Sequence, residues 1–170
     1  TTINFNEELN HLEQASFKAL KSVIETVKEG TTLGEIGMII EETMYAHKCK
    51  PIYNLSGHSL GDYLVHSGVS IPNYNTKSTH KLKENQVFAI EPFSTNGQGF
   101  VVDKGKAGIF SLISLKNTRN PVSKILIQEM YKKRKTLPFA ERWLHEIEPS
   151  QLKLNSALLD LINNRIITSY

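Results

Sequence analysis

A change of sequence pattern at Pro51 places the strongest constraint on how this chain can fold. Upstream of it, residues 7–29 carry apolar side chains at three- and four-residue steps, which predicts an amphipathic helix. Thr32 stands three residues before Glu35, the spacing of a capping box, so a second helix is predicted to begin there and to end before Pro51. Two glycines in its first turns predict close packing against a neighbouring segment. The apolar face of this second helix is predicted to consist of Leu33, Ile36, Ile40 and Met44.

Downstream of Pro51 the chain reads as short strands joined by loops. The stretch "PIYNLSGHSLGDYLVHSGVSIPNYN" consists of brief apolar runs interrupted by glycine and proline, a pattern typical of strands and turns. Residues 86–93, "QVFAIEPF", predict a buried strand in which Glu91 is the one charged position. The following stretch, "GFVVDKGKAGIFSLISL", predicts two strands around a turn at Gly105.

The last third of the chain returns to helical patterns. Residues 121–135 predict a helix, Pro138 is predicted to open a short one, and Ser150 is predicted to cap a final one. The side chains of the final helix that are predicted to face inward are Leu152, Leu158, Leu159 and Ile162. "RIITSY" predicts a closing strand. The predicted fold class is therefore α+β, an antiparallel sheet flanked by helices with a helical subdomain inserted late in the sheet.

Size and composition narrow the class of protein. A chain of 170 residues predicts one domain, or one domain with a small appendage. Its single cysteine, Cys49, excludes an internal disulfide framework, so we expect a cytoplasmic location. No apolar run approaches the roughly 18 residues of a membrane span, and the polar first ten residues do not resemble a signal peptide. The chain opens on Thr1 and ends on an apolar run, so we expect it to be an internal piece of a longer protein.

Glu91 and two histidines are the candidates for chemistry. A carboxylate within an apolar strand would have to protonate, pair or bind a cation, unless the strand lies at a sheet edge with Glu91 facing solvent. Pro92 is compatible with an edge or a strand end. His58 and His66 could complete a metal site, and their even separation would place them on one side of an extended strand, although Gly61 makes an unbroken strand doubtful. Cys49 lies between two lysines, yet no base is arranged beside it for nucleophilic chemistry.

Three motifs in this order carry a resemblance to a known family. "NLSGHSLGDYLVHSGVSIPN", "VFAIEPF" and "LPFAERWL" together resemble type 2 methionine aminopeptidases of the creatinase-like "pita-bread" fold, archaeal members in particular. The resemblance runs through nearly the whole chain. It implies two divalent metal ions (Co, Mn, Fe or Zn), with His58 and Glu91 as metal ligands. It also implies that His66 is a catalytic, substrate-contacting residue and that Val65 and Tyr170 line the pocket for the methionine side chain.

The departures from the family pattern are as informative as the matches. The family holds its metals with two aspartates, one histidine and two glutamates, and three of these five ligands have no counterpart here. Asp62, Asp103 and Asp160 do not occupy the matching positions. We therefore expect a pita-bread fold incomplete at both ends, and negligible activity from this chain by itself.

The resemblance also implies a domain organisation. Residues 1–117 would be a partial catalytic domain, residues 118–165 the helical insertion typical of type 2 members, and residues 166–170 a strand returning to the catalytic domain.

The implied function is metal-dependent removal of the N-terminal methionine from nascent polypeptides, with no membrane or DNA partner. The main alternative is a non-catalytic relative of the same fold that binds the ribosome or RNA. The net charge of +3 permits such contact, and the basic tract "YKKRKTLP" offers a surface for it in either case. A proline-specific aminopeptidase is a second alternative, but its additional histidine motifs are not found in this sequence.

Overall fold

The protein is described by a computed structural model whose described residues are 4–170, so Thr1, one of the two observations behind the expectation of a cut chain, lies outside them. The chain forms two compact units. The first runs up to Gly61 and resumes over His66–Asp103, and the second consists of Asp62–Val65 and Lys104–Tyr170. None of the helices formed by residues 4–170 has the length and hydropathy that a bilayer-spanning segment requires.

Two helices open the first unit. Helix α1 spans Asn10–Thr26 after a single 3-10 turn, and helix α2 spans Leu33–Ala46. The predicted capping box is confirmed, because the Thr32 hydroxyl accepts a hydrogen bond from the Glu35 N–H while the Glu35 carboxylate accepts one from the Thr32 N–H. The Thr32 N–H and the Thr32 hydroxyl both donate to the Glu35 carboxylate, and these two hydrogen bonds lower the pKa of the Glu35 carboxyl below its ordinary value.

The strands of the first unit are short. In chain order they are β1 (Lys50–Pro51), β2 (Ser56–Ser59), β3 (Ser70–Pro72), β4 (Phe88–Ala89) and β5 (Ser94–Thr95). All pairings are antiparallel: β2 is the centre of a three-stranded sheet between β3 and β4, and β1 pairs with β5. The register places His58 on β2 opposite Ser70 of β3 and Ala89 of β4.

The core of the first unit lies between the helices and β3. Its buried side chains are Ala15, Ala19, Val23, Leu33, Ile36, Ile40, Met44, Cys49, Ile71 and Leu82. The predicted inner face of α2 is therefore confirmed in full. The predicted close packing is also confirmed, since a Cβ at Gly37 would lie 2.0 Å from the Tyr74 carbonyl oxygen.

The second unit is built around a three-stranded antiparallel sheet with two helices. Strand β6 (Ile109–Leu112) is central, and β7 (Phe139–Ala140) and β8 (Ile167–Ser169) flank it. Helix α3 spans Pro121–Arg134 and helix α4 spans Gln151–Asn163, with the Asn120 and Ser150 side chains as N-caps. The core of this unit consists of Phe110, Leu112, Leu126, Met130, Phe139, Leu144, Leu154, Ala157, Leu158, Leu161, Ile166 and Ile167.

Three strand and helix predictions were wrong. Residues 86–93 form a strand only at Phe88–Ala89, since the chain leaves the pairing before Pro92, which has no N–H for a ladder. Of the two strands predicted around Gly105, only β6 forms, and residues 100–103 have no regular structure. The helix predicted to open at Pro138 is instead strand β7 followed by a 3-10 segment, Glu141–Glu146.

The predicted inner face of α4 was wrong for all but one residue. Leu158 is buried, but Leu152, Leu159 and Ile162 are 81%, 61% and 42% exposed. The buried stripe is displaced around the helix, to Leu154, Ala157, Leu158 and Leu161. Both stripes are apolar at helical spacing, so the choice between them depends on where the neighbouring helix and sheet lie.

Candidate metal centre

Strand β2 brings a histidine and a carboxylate together. Gly57 allows the segment after β4 to approach closely, because a Cβ there would lie 2.2 Å from the Ala89 carbonyl oxygen and 3.2 Å from the Glu91 nitrogen. The next residue, His58, places its Nε2 atom 3.1 Å from Oε1 of Glu91. The close approach of two backbones at a glycine therefore positions the histidine–carboxylate pair.

The His58–Glu91 pair is only partly shielded from water. The His58 side chain is 13% exposed and the Glu91 side chain is 37% exposed. The predicted strand does not reach Glu91, because β4 ends at Ala89, but the Glu91 carboxylate does pair with an imidazole, which is one of the outcomes expected for it. The Nε2 atom of the His58 ring faces Glu91, and the Nδ1 atom lies 3.4 Å from the Ser59 carbonyl oxygen.

His66 lies in the segment between β2 and β3, and its side chain comes beside His58. Its ring packs edge-to-face on the His58 ring with 4.2 Å between ring centroids. The two histidines do not lie on one extended strand, which agrees with the doubt that Gly61 raised about an unbroken strand. The chain leaves β2 at Ser59 and returns antiparallel as β3, and this reversal brings His66 back beside His58.

The donor set fits part of a divalent metal site. An imidazole nitrogen and a carboxylate oxygen 3.1 Å apart can both bind one ion, and such N and O donors suit Zn, Mn, Fe or Co. Among residues 4–170 there is no group of three or more histidine, cysteine, aspartate and glutamate side chains arranged to hold a metal ion. His58 and Glu91 can therefore contribute to a metal centre, and further donors are needed to fix its geometry.

The residues expected to line a methionine pocket lie in the second unit. Val65 belongs to the short segment Asp62–Val65 and is partly buried. Tyr170 follows β8, where its N–H donates a hydrogen bond to the Ile109 carbonyl oxygen, and 51% of its surface is exposed. Their role in substrate binding stays a prediction.

Cys49 has the properties of a core residue. Its side chain is 2% exposed, and its thiol donates to the His47 carbonyl oxygen at 3.3 Å. Burial raises the pKa of the Cys49 thiol, the opposite of the effect expected from the lysines on either side. The thiol therefore stays protonated at neutral pH.

Two serines beside the histidines were missed by the sequence analysis. Ser67 donates from its hydroxyl to the Ser59 hydroxyl oxygen at 2.7 Å, joining the end of β2 to the returning chain. The signal was present in the sequence, since each histidine of "GHSLGDYLVHSG" is followed by a serine. The spacing alone did not show that the two His-Ser pairs meet.

Comparison with known proteins identifies relatives along most of the chain. A methionine aminopeptidase of Methanothermobacter thermautotrophicus is 38% identical over 165 residues, which are 97% of this chain and 55% of that protein. The chain thus spans about half the length of the curated relatives it matches.

Solved structures show the same fold. The methionine aminopeptidase of Thermotoga maritima is similar over 58% of this chain and 40% of its own, with a TM-score of 0.54 and 30% identity. A thermophilic Arx1 covers 100% of this chain and 53% of its own, with a TM-score of 0.74, and at 15% identity it shows the fold alone. Both agree with the predicted pita-bread architecture. Residues 1–117 match the family model, and on this evidence the chain belongs to metallopeptidase family M24.

Proposed function

We propose that the protein containing this chain is a metal-dependent aminopeptidase that removes the N-terminal methionine from nascent polypeptides. The observation that carries the proposal is the approach of His58 Nε2 to Glu91 Oε1 at 3.1 Å, with the His66 ring packed on His58. Relatives named methionine aminopeptidase support the substrate assignment. Buried Cys49, with its raised thiol pKa, is compatible with the cytoplasmic location that nascent chains require.

Each site residue has a proposed role. His58 and Glu91 hold metal, and two divalent ions would supply a hydroxide near neutral pH by lowering the pKa of water. His66 donates a hydrogen bond to the oxyanion that develops at the carbonyl of the first peptide bond. Val65 and Tyr170 contact the methionine side chain, whose flexible thioether suits an irregular apolar pocket.

The remaining metal ligands are proposed to come from the rest of the full-length protein. The family pattern requires two aspartates and a second glutamate, and His58 and Glu91 supply only two of five donors. One imidazole and one carboxylate cannot fix two ions, so we expect negligible activity from residues 1–170 alone. Calorimetric titration of this chain with Zn²⁺ or Co²⁺ checks this, and two tight sites would contradict it.

The site assignment is tested by substitution in the full-length protein. His58→Ala and Glu91→Ala are each expected to abolish metal-dependent release of methionine from Met-Ala-Ser, because each removes a direct ligand. His80→Ala and Glu84→Ala are matched controls on exposed loop positions of the same unit and are expected to keep wild-type turnover. Turnover retained in His58→Ala or Glu91→Ala would refute the assignment. Faster release from a Xaa-Pro peptide than from Met-Ala-Ser would favour the proline-specific alternative.

We also propose that the protein is a type 2 member of its family. Residues 118–165 are the helical insertion, residues 1–117 belong to the catalytic domain, and residues 166–170 return the chain to that domain. Helices α3 and α4 fall within the proposed insertion. Deleting residues 118–165 and joining the flanking strands should leave a foldable catalytic domain if this division is right.

A basic, aromatic surface on the second unit favours ribosomal RNA as a further partner. The guanidinium of Arg134 lies 4.3 Å from the ring centre of Trp143, and the Lys135 ammonium lies 5.2 Å from Tyr131 and 5.5 Å from Tyr63. The unit carries twelve lysines and arginines against six aspartates and glutamates. Positive charge interleaved with partly exposed aromatic rings suits a phosphate backbone and unstacked bases.

Sedimentation with ribosomes tests this partner and the non-catalytic alternative together. Replacing Lys132, Lys133 and Lys135 by Glu should weaken co-sedimentation and its salt dependence, while Lys18→Glu with Lys21→Glu on α1 serves as the control. Ribosome binding without any methionine release from the wild-type protein would favour the non-catalytic alternative. Equal binding by both variants would exclude this surface.

A further inference from the structure

The turn between the two histidines is closed at Ser59. The Ser59 N–H donates to the Val69 carbonyl oxygen at 2.8 Å, and the Ser59 carbonyl oxygen accepts from the Ser67 N–H at 2.9 Å. These backbone bonds join the end of β2 to the chain that returns toward β3. His66 lies immediately before this junction, and His58 lies immediately before Ser59.

The side chain of Ser59 adds two further hydrogen bonds at the same junction. Its hydroxyl oxygen accepts from the Ser67 hydroxyl at 2.7 Å and from the Val69 N–H at 3.0 Å. Between these two donors Gly68 has a φ of +99°, a conformation that L side chains rarely adopt. With Gly68 in this conformation, the Val69 N–H points at the side chain of Ser59. The Ser59 hydroxyl oxygen is therefore its acceptor.

The intervening loop is exposed and irregular, so its closure matters for His66. Residues 60–64 are exposed, and Tyr63 has a φ of +56°. His66 itself is exposed, although its ring rests on the partly buried His58. A fixed junction one residue beyond His66 restricts the positions that its ring can occupy.

We infer that Ser59 is a positioning residue, whose hydroxyl holds the turn so that the His66 imidazole stays against His58. This inference rests on the proposed aminopeptidase function. His66 would act on the developing oxyanion and not on ground-state binding, so displacement of its ring should lower kcat more than it changes KM. Misplacing a catalytic group by 1 Å can lower the reaction rate by up to about 100-fold.

Substitutions in the full-length, metal-loaded protein test the inference. Ser59→Ala should lower kcat for Met-Ala-Ser by about 10- to 100-fold with a KM change of less than about threefold. Ser59→Thr keeps the hydroxyl on a β-branched side chain that suits a strand, and it should restore most of the rate. Ser56→Ala is the matched control, because Ser56 lies on the same strand and its hydroxyl forms no hydrogen bond among residues 4–170.

A double-mutant cycle isolates the hydroxyl pair. Ser67→Ala should lower kcat less than Ser59→Ala, since it removes one of the two bonds to the Ser59 oxygen. The double variant should be no slower than Ser59→Ala, because the shared bond is already lost. Fully multiplicative effects would refute the pairing. Ser67 is exposed, so Ser67→Ala also remains informative if Ser59→Ala fails to fold.

A structural readout separates this inference from the proposed function. In the zinc-loaded protein, nuclear Overhauser contacts between the ring protons of His58 and His66 report the 4.2 Å packing directly. The wild type and Ser56→Ala should show these contacts, and Ser59→Ala should lose them. A wild type without turnover that shows this pattern would refute the aminopeptidase assignment and leave the positioning role intact. Contacts and kcat that both survive in Ser59→Ala would overturn the positioning role.

Discussion

Gly57→Ala should disturb both stability and metal binding, because Gly57 is where the segment carrying Glu91 crosses β2. The added Cβ would lie 2.2 Å from the Ala89 carbonyl oxygen, whereas ordinary contact begins at 3.4 Å. The neighbouring atoms are backbone, so β2 and β4 would have to separate by about 1 Å, and overpacking of this kind costs about 1–3 kcal/mol in the free energy of unfolding.

The same separation would act on the proposed metal centre. His58 lies on β2 and Glu91 lies two residues beyond the end of β4, so forcing the two strands apart would separate donor atoms that are only 3.1 Å from each other. Loss of support for metal ligands typically weakens metal binding by about 10- to 100-fold, and we expect a change of that size. Denaturant unfolding and calorimetric metal titration of the full-length protein measure the two effects.

Gly108→Ala is the matched control for Gly57→Ala. Nothing lies within 4 Å of a Cβ at Gly108, and its φ is in the ordinary range. We expect this variant to match the wild type in stability and metal affinity. If Gly57→Ala unfolded at the same denaturant concentration as Gly108→Ala and bound metal equally well, the close approach of the two strands would not determine the site.

Two further predictions concern the fold. The pKa of Glu35 is lowered by its capping bonds, so its contribution to stability is present above the ordinary pKa of 4.5 and is lost as pH falls through the folded-state pKa. The free energy of unfolding of Glu35→Gln should therefore equal that of the wild type at acid pH and be lower at neutral pH. A difference between the two proteins that stays constant from acid to neutral pH would contradict this. In α4, Leu154→Ala should cost about 2–5 kcal/mol because Leu154 is fully buried, whereas Leu152→Ala should cost less than about 0.5 kcal/mol. Equal losses would refute the observed orientation of the helix.

Local sequence determined the features that depend on neighbouring residues. The capping box of α2 follows from two side chains three positions apart, and its buried face follows from helical periodicity. The order of the motifs around His58, His66 and Glu91 likewise indicates the family from the sequence alone. These signals lie within a turn of helix or within a short motif, so they can be read without knowledge of the fold.

Only the tertiary structure decided which surfaces and donors meet. Helix α4 has two apolar stripes, and the position of the sheet and α3 selects the one containing Leu154. The pairing of β2 with β4 brings His58 beside Glu91, which follows β4, and a turn held by Ser59 returns His66 to them. Such contacts depend on strand pairing between distant segments and on glycine-permitted backbone approach. Local propensity fixes neither, because the free energy that selects a long-range pairing comes from packing the whole unit.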